Sequence, residues 1–422
     1  MPNVIGDSGT AVDWWFIYKV ANNAQTTDKA VATKSTAKPV KDVLGTKYAY
    51  FDSEMAKQKN PQLVLSPNDI NGQKGALYDT LSPLFSAAAK ANKSLGWFCY
   101  NDEDRVVDKK GTGPSDRGHC KGVLAFDLAS NSAFWLIHSV PRFPMQAACE
   151  YPASGLQMAQ SMLCIQLDSA DTAKNIAQLM FDAHGPNVNA ASDLLPNGPI
   201  PPAPRPPKKG MQQQNGFDPK SLPLPNVLKL LGQDDPRIKL MQNLNGSLTK
   251  PKPYPPLDDS FLKSPFPGRV PFNSRGGQKF LAIAKNRAWG LDLYNDLVGK
   301  VLNENLEVET WENVEGRVPL EQKPGDHEVE NMTAVNLAPI PYSWLEPSDH
   351  AKLAISDRNN PQGTPRFGCV GDINFTDAQE KRGGGTVAFE CESLWNILAK
   401  ALTDPPLPPP KPSSRPNKPA AP

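Results

Sequence analysis

The sequence predicts a mixed α/β (α+β) fold of two similar halves, each a mixed β-sheet flanked by helices, and three observations carry that reading. Short runs dense in aromatic and β-branched residues alternate with turn-forming segments, while helical spacing appears only in isolated stretches. The composition breaks at a proline-rich stretch, 196–215. A histidine and a lysine two residues apart occur once on each side of that break, both times at the head of an apolar run.

The elements follow in order. "AVDWWFIYKV" from Ala11 and "TKYAYFD" from Thr46 read as strands, as do "SLGWFCYND" from Ser94, "CKGVLAFD" from Cys120, "AFWLIHSVP" from Ala133 and "MLCIQL" from Met162. "TAKNIAQLMFDA" from Thr172 has the spacing of a helix. These make up a first half, 1–195. Residues 196–215 contain "PNGPIPPAPRPPKKG", which cannot be helix or central strand, because proline lacks an N–H donor and restricts φ. A plain surface excursion is its default reading; a ligand for a proline-reading domain is the sharper one. The second half, 216–403, holds "FLAIAKNRAWGLDLY", after which Tyr294, Leu297, Val298, Val301 and Leu302 mark an amphipathic helix. "LEVETW", "DHAKLAISD" and "PRFGCVGDINFTDAQEKRGGGTVAFE" follow, and "ESLWNILAKAL" closes as a helix. The proline-rich tail, 404–422, is expected to be disordered.

Composition bounds the partners. The 45 basic and 44 acidic residues leave a net charge of +1, so binding to a polyanion requires a local patch. No apolar run approaches the ~18 residues that span a bilayer, and no membrane partner is expected. The opening residues lack a basic segment followed by an apolar core, so no signal peptide is predicted and the cellular location stays open, export by another route included. Six cysteines, none in a CxxC, give no expectation of a zinc knuckle and leave disulfide pairing undetermined.

The chemistry lies in the doubled motif. His119 and Lys121 head the first run; His350 and Lys352 head another 231 residues later, and an aspartate follows each lysine, Asp127 and Asp357. Only five histidines exist, and two of them lead H-x-K strands in opposite halves. The bland reading is a basic pair at the wet end of a strand. The sharper one is phosphodiester cleavage: one imidazole attacks phosphorus, and the other protonates the leaving oxygen and then activates water. The lysines stabilise the phosphate oxygens, and a carboxylate on the far nitrogen of each ring would set its tautomer. This chemistry requires no metal or other cofactor, and none is expected.

With "GDSGTAVDWWFIYK", "CYNDE", "RGHCKGVLAFD", "FWLIHSVPRFP", "SDHAK" and "CVGDIN...EKRGGGT", the chain resembles the deoxyribonuclease II family within the phospholipase D-like superfamily. The resemblance implies a pseudo-two-fold arrangement of the halves around one active site. It also implies a metal-independent acid endonuclease acting on double-stranded DNA, leaving 3′-phosphate and 5′-hydroxyl ends, and a homodimer clamping the duplex. Its motif positions are His119, Lys121, His350 and Lys352, with His119 as nucleophile and His350 as general acid by analogy. The superfamily's G-S-x-N is replaced here by "GDIN", so Asp372 and Asn374 are further site candidates, with His138 and Ser139 in the comparable region of the first half. Ala354 and Ala388 stand where animal relatives carry cysteine, so their disulfide framework is not carried over.

The remaining candidates divide into binding and structural roles. Lys109, Lys110 and Arg117 form a basic run before His119, and Arg382 sits in the glycine-rich "KRGGGT"; all four are candidates for DNA phosphates. Trp14 and Trp15 read as core, His184 and His327 as surface, and Asp7 and Asp13 as either structural or orienting. Two competing functions remain: a phospholipase D-like phosphodiesterase for another substrate such as a phospholipid, and a non-enzymatic interaction protein, against which the intact H-x-K pairs weigh.

Overall fold

The computed structural model describes residues 2–26, 44–92, 94–102, 118–144, 149–180, 187–191, 268–285, 289–311, 327–360 and 364–404. The proline-rich 196–215, the tail beyond Asp404, His184 and the basic residues Lys109, Lys110 and Arg117 lie outside the described residues. In chain order the first strands are β1 (Trp14–Lys19), β2 (Gln25–Thr26), β3 (Tyr48–Asp52), β4 (Val64–Leu65), β5 (Leu95–Asn101), β6 (Gly122–Asp127), β7 (Ser132–His138), β8 (Gln160–Leu167) and β9 (Asn187–Ala191). Then follow β10 (Arg269–Asn273), β11 (Lys279–Lys285), β12 (Leu306–Thr310), β13 (Val329–Asn331), β14 (Ala334–Asn336) and β15 (Tyr342–Leu345). The last are β16 (Lys352–Ser356), β17 (Phe367–Gly371), β18 (Gly384–Glu390) and β19 (Leu402–Thr403).

These strands form an eight-stranded sheet, β4-β3-β1-β8-β7-β6-β5-β9, and a seven-stranded sheet, β10-β11-β18-β17-β16-β12-β13. All pairings in the first sheet are antiparallel. The second is mixed through the parallel pair β12 and β13, its other pairs being antiparallel. The run "WWFIYK" is buried throughout because both faces of β1 are covered. Its alternation appears in what each side touches: Trp14, Phe16 and Tyr18 enter one apolar cluster, Trp15 and Ile17 another.

The first of those clusters is the seam of the molecule. It joins β1, β6 and β7 side chains to Phe280, Leu353, Val387 and Phe389 of the second sheet and takes in helices Ala170–Leu179 and Glu392–Ala401. Trp14 meets Phe389 there with ring centroids 5.5 Å apart. The outer face of the first sheet is covered by Leu77, Leu81 and Leu84, that of the second by Leu293, Tyr294, Leu297 and Val298. The helical spacing from Tyr294 begins as a π-helical turn, Tyr294–Val298, and continues as α-helix through Leu302. Among the described residues no helix is long and apolar enough to cross a membrane.

A third sheet, β19-β14-β15-β2, adds a two-residue strand from near the start of the chain to segments from its second half. Strands this short have no readable alternation; their pairing partners make them strands. All six cysteines are free thiols, and Ala354 and Ala388 lie opposite Cys369 on the two neighbouring strands.

The entry to β6 is close-packed. A Cβ on Gly122 would overlap the Leu136 carbonyl oxygen and the Tyr100 hydroxyl. Gly122→Ala is therefore expected to lower unfolding free energy by about 1–3 kcal/mol, as overpacking does, read as a lower urea midpoint at unchanged m-value.

Candidate active site

The first H-x-K lies just ahead of β6, in the turn that leads into it, so neither side chain follows strand alternation. The His119 N–H donates to the Gly383 carbonyl at 2.7 Å, and the ring Nδ1 contacts the main-chain carbonyl of Asp372. A carbonyl only accepts, so Nδ1 carries the proton and Nε2 keeps its lone pair. The carboxylate expected on this ring is thus replaced by a main-chain oxygen from the other sheet. Asp127 lies at the far end of β6 and accepts from Ser94 Oγ at 2.6 Å and the Ala129 N–H at 3.0 Å. Asp357 likewise sits beyond β16 and accepts from the Asn359 N–H at 2.7 Å. Five or six extended residues carry an aspartate about 17–20 Å from its lysine.

Asp102, immediately after β5, gathers the cations. Its Oδ1 is 2.9 Å from Lys121 Nζ, and its Oδ2 is 3.5 Å from both His119 Nε2 and an Arg382 Nη. Arg382 also donates to the Gly118 carbonyl at 3.5 Å, which brings "KRGGGT" to the first histidine.

The second H-x-K leads into β16, with Lys352 as its first residue. Two contacts dock it on the first sheet: the His350 N–H donates to the Ala159 carbonyl at 2.9 Å, and the Lys352 N–H to Ser161 Oγ at 3.1 Å. Each lysine reaches back to the carbonyl of its own histidine, Lys121 at 3.4 Å and Lys352 at 2.5 Å. Trp311 packs on the His350 imidazole, centroids 4.3 Å apart. The fully buried Asp349 anchors the segment, accepting from the Tyr18 hydroxyl at 2.5 Å, Trp344 Nε1 at 2.7 Å and the Ala351 N–H at 2.7 Å.

The two half-sites act on each other electrostatically. Burial, then Lys121, Arg382 and Lys352, drive the His119 pKa well below the usual histidine value. Burial, then Lys352 and Lys121, lower that of His350 to about 3. Lys352, only 2% exposed and therefore unable to lean on water, is lowered to about 7 by burial and Lys121. Burial raises Asp372 to about 7. His119, Lys121, His350, Lys352 and Arg382 thus share one field.

The other candidates have the following places. Asp372 Oδ1 accepts from the Gly385 N–H at 2.7 Å, and Gly384, at φ +154, leaves the space a Cβ would take from Asp372 and Ile373. Asn374 is buried, and its Oδ1 has no hydrogen-bond partner among the described residues. His138 is buried at the end of β7; its Nδ1 accepts from the Val140 N–H at 3.2 Å, so the proton is on Nε2. Ser139 Oγ donates to Gln160 at 2.6 Å and accepts from the Ser161 N–H at 2.9 Å, which ties β7 to β8. Asp7 and Asp13 have structural partners, Ser66 at 2.7 Å and the Gly276 N–H at 2.6 Å. Trp14 and Trp15 are core, and His327 is half-buried beside Gly299.

Sequence reasoning missed Asp102, Trp311, Asp349 and Lys285. Asp102 ends the "CYND" run and Asp349 adjoins the second motif, which are weak positional signals; Trp311 and Lys285 carried none. Lys285 donates to the carbonyls of Gln379 at 2.8 Å, Glu380 at 3.0 Å and Arg382 at 2.7 Å, holding the loop that presents Arg382.

A family model described as Deoxyribonuclease II matches residues 4–404. A Burkholderia pseudomallei protein named as a deoxyribonuclease-2 is 33% identical over 407 residues, covering 96% of this chain and 93% of its own. Deoxyribonuclease-2-alpha of Mus musculus is 27% identical over 404 residues, covering 94% and 91%. Cell death-related nuclease 6 of Caenorhabditis elegans is 26% identical over 404 residues, covering 94% and 87%.

Two outcomes test this geometry. Lys285→Met removes three charge-assisted hydrogen bonds and is expected to cost about 1.5–3 kcal/mol, whereas Lys285→Arg recovers part of the loss; equal urea midpoints for Met and wild type would rule out the strut. His138, lowered to about 3 mainly by burial, is protonated first in the unfolded chain. Its contribution to stability is therefore lost as pH falls from about 6.5 toward 3. Acids with raised pKa values oppose this trend, so the stability difference between wild type and His138→Gln is the quantity to follow. It should move against the wild type by at least about 1 kcal/mol between pH 7 and pH 4.

Proposed function

The chain belongs to the deoxyribonuclease II family and is a nuclease that hydrolyses the phosphodiester bonds of DNA, and from that premise we propose a specific reaction. It is a metal-independent acid endonuclease that cuts double-stranded DNA to 3′-phosphate and 5′-hydroxyl ends through a phosphohistidine on His119. The observation that carries this reading is the His119 ring held by the Asp372 carbonyl, which leaves Nε2 as a lone pair within the field of Lys121, Lys352 and Arg382.

Nε2 attacks phosphorus; the P–N bond forms, the bond to the 5′-oxygen breaks, and His350 gives that oxygen its proton. His350, now neutral, takes a proton from water as the water attacks phosphorus. The P–N bond breaks, freeing the 3′-phosphate and His119. Lys121, Lys352 and Arg382 offset the charge on the non-bridging oxygens throughout. Asp372 supports His119 through its carbonyl, and Asn374, His138 and Ser139 are secondary contributors on this reading. Lys109, Lys110 and Arg117 contact the DNA backbone, and two chains clamp one duplex as a homodimer.

Acid preference follows from the general acid. In the free protein His350 is neutral down to about 3, because burial and two lysines oppose its charge. A phosphate diester brings negative charge beside the imidazoles, so the proton enters with the substrate and enters more readily at low pH.

Plasmid cleavage at about pH 5 in excess EDTA is expected for the wild type, with losses of at least ~100-fold in His119→Ala and in His350→Ala. A metal requirement, or nicking that survives either substitution, would sink this reading. Duplex binding by His119→Ala near pH 5 should also take up protons, seen as a dependence of binding heat on buffer ionisation enthalpy.

A further inference from the structure

Asp102 is the carboxylate of the site to which the reaction above gives no task. It is 6% exposed and follows the last residue of β5. Among the described residues, three groups a scissile phosphate needs lie beside it: Lys121 Nζ at 2.9 Å, Arg382 at 3.5 Å and His119 Nε2 at 3.5 Å. Because Nδ1 is committed to the Asp372 carbonyl, the carboxylate faces the lone pair of the nucleophilic nitrogen. It cannot accept a hydrogen bond there from a neutral ring. Nor can an anionic phosphate approach Nε2 while a carboxylate lies in front of it, since like charges in a poorly solvated site repel strongly.

A carboxylate and a phosphodiester each present two anionic oxygens on one centre and are held by the same lysine and arginine donors. We propose that Asp102 is a placeholder for the scissile phosphate: its carboxylate neutralises Lys121 and Arg382 in the resting protein, and the substrate phosphate binds by displacing it. This rests on His119 being the nucleophile. It assigns Asp102 a role in substrate affinity, since every ligand of the site must outcompete an internal anion.

Asp102→Asn removes the charge while keeping the shape, and inorganic phosphate is the probe. Calorimetry at about pH 5 should show phosphate binding the variant at least ~10-fold more tightly than wild type, with KM for a short duplex falling in the same direction. Unchanged or weaker phosphate binding, with kcat reduced and KM constant, would make Asp102 a fixed positioning residue and overturn the proposal. Asp102→Ser serves the same titration if the asparagine variant does not fold. In wild-type crystals grown with phosphate, the anion should contact Lys121 with Asp102 turned away; phosphate elsewhere beside an intact Asp102–Lys121 pair also overturns it. His119→Ala run in parallel separates the two ideas: nicking that survives it refutes the nucleophile assignment, while the phosphate titration still judges Asp102.

Discussion

His119 is held from the other sheet, and the rest of the site depends on that hold. Its backbone N–H donates to Gly383 and its ring to the carbonyl of Asp372, on either side of the link between β17 and β18. A main-chain carbonyl does not titrate. The ring therefore keeps one tautomer and one direction over the whole pH range in which neighbouring groups change charge, which a carboxylate partner could not guarantee. In return, neither sheet alone holds the imidazole against its carbonyl. The apolar seam of Trp14, Phe280, Leu353 and Phe389 is what keeps the imidazole and the carbonyl in register.

The second histidine is placed by the same logic with a different device. Asp349 joins Tyr18 of β1 to Trp344 of β15 immediately before His350, while Ala159 and Ser161 of the first half take up the backbone on either side of it. Buried charges are costly, and Lys121, Lys352, Asp102, Asp349 and Asp372 are all under a tenth exposed. Each has a partner in the site, yet burial still pushes Lys352 down to about 7 and Asp372 up to about 7, so the partners offset only part of that cost. The cations that hold both histidines below their ordinary value are Lys121 and Lys352, with Arg382 beside His119.

Much of this was legible along the chain. The strands from "WWFIYK" to "GGTVAFE" stand where aromatic and β-branched density put them, and the helix Glu392–Ala401 matches its periodicity. Both H-x-K motifs were visible along the chain, and the fold brings their side chains into one electrostatic environment. The carboxylate expected on the first ring is a main-chain carbonyl instead, a contact between residues 253 apart that no local pattern announces. The four-stranded third sheet was unreadable, since β2 and β19 are two residues each and owe their conformation to partners far away in sequence. Trp311 looked like any strand-end aromatic until His350 was found against it.

Side-chain chemistry and the two-residue strand period are local properties, so the sequence by itself determined the elements, the doubled motif and the class of reaction that imidazole and lysine pairs can support. Contacts between distant residues are not encoded in any local pattern. Tertiary packing alone decided that His119 meets a carbonyl 253 residues away, that Lys121 acts on His350, and that Asp102 sits among the cations. These contacts form only when the two sheets close over one apolar seam.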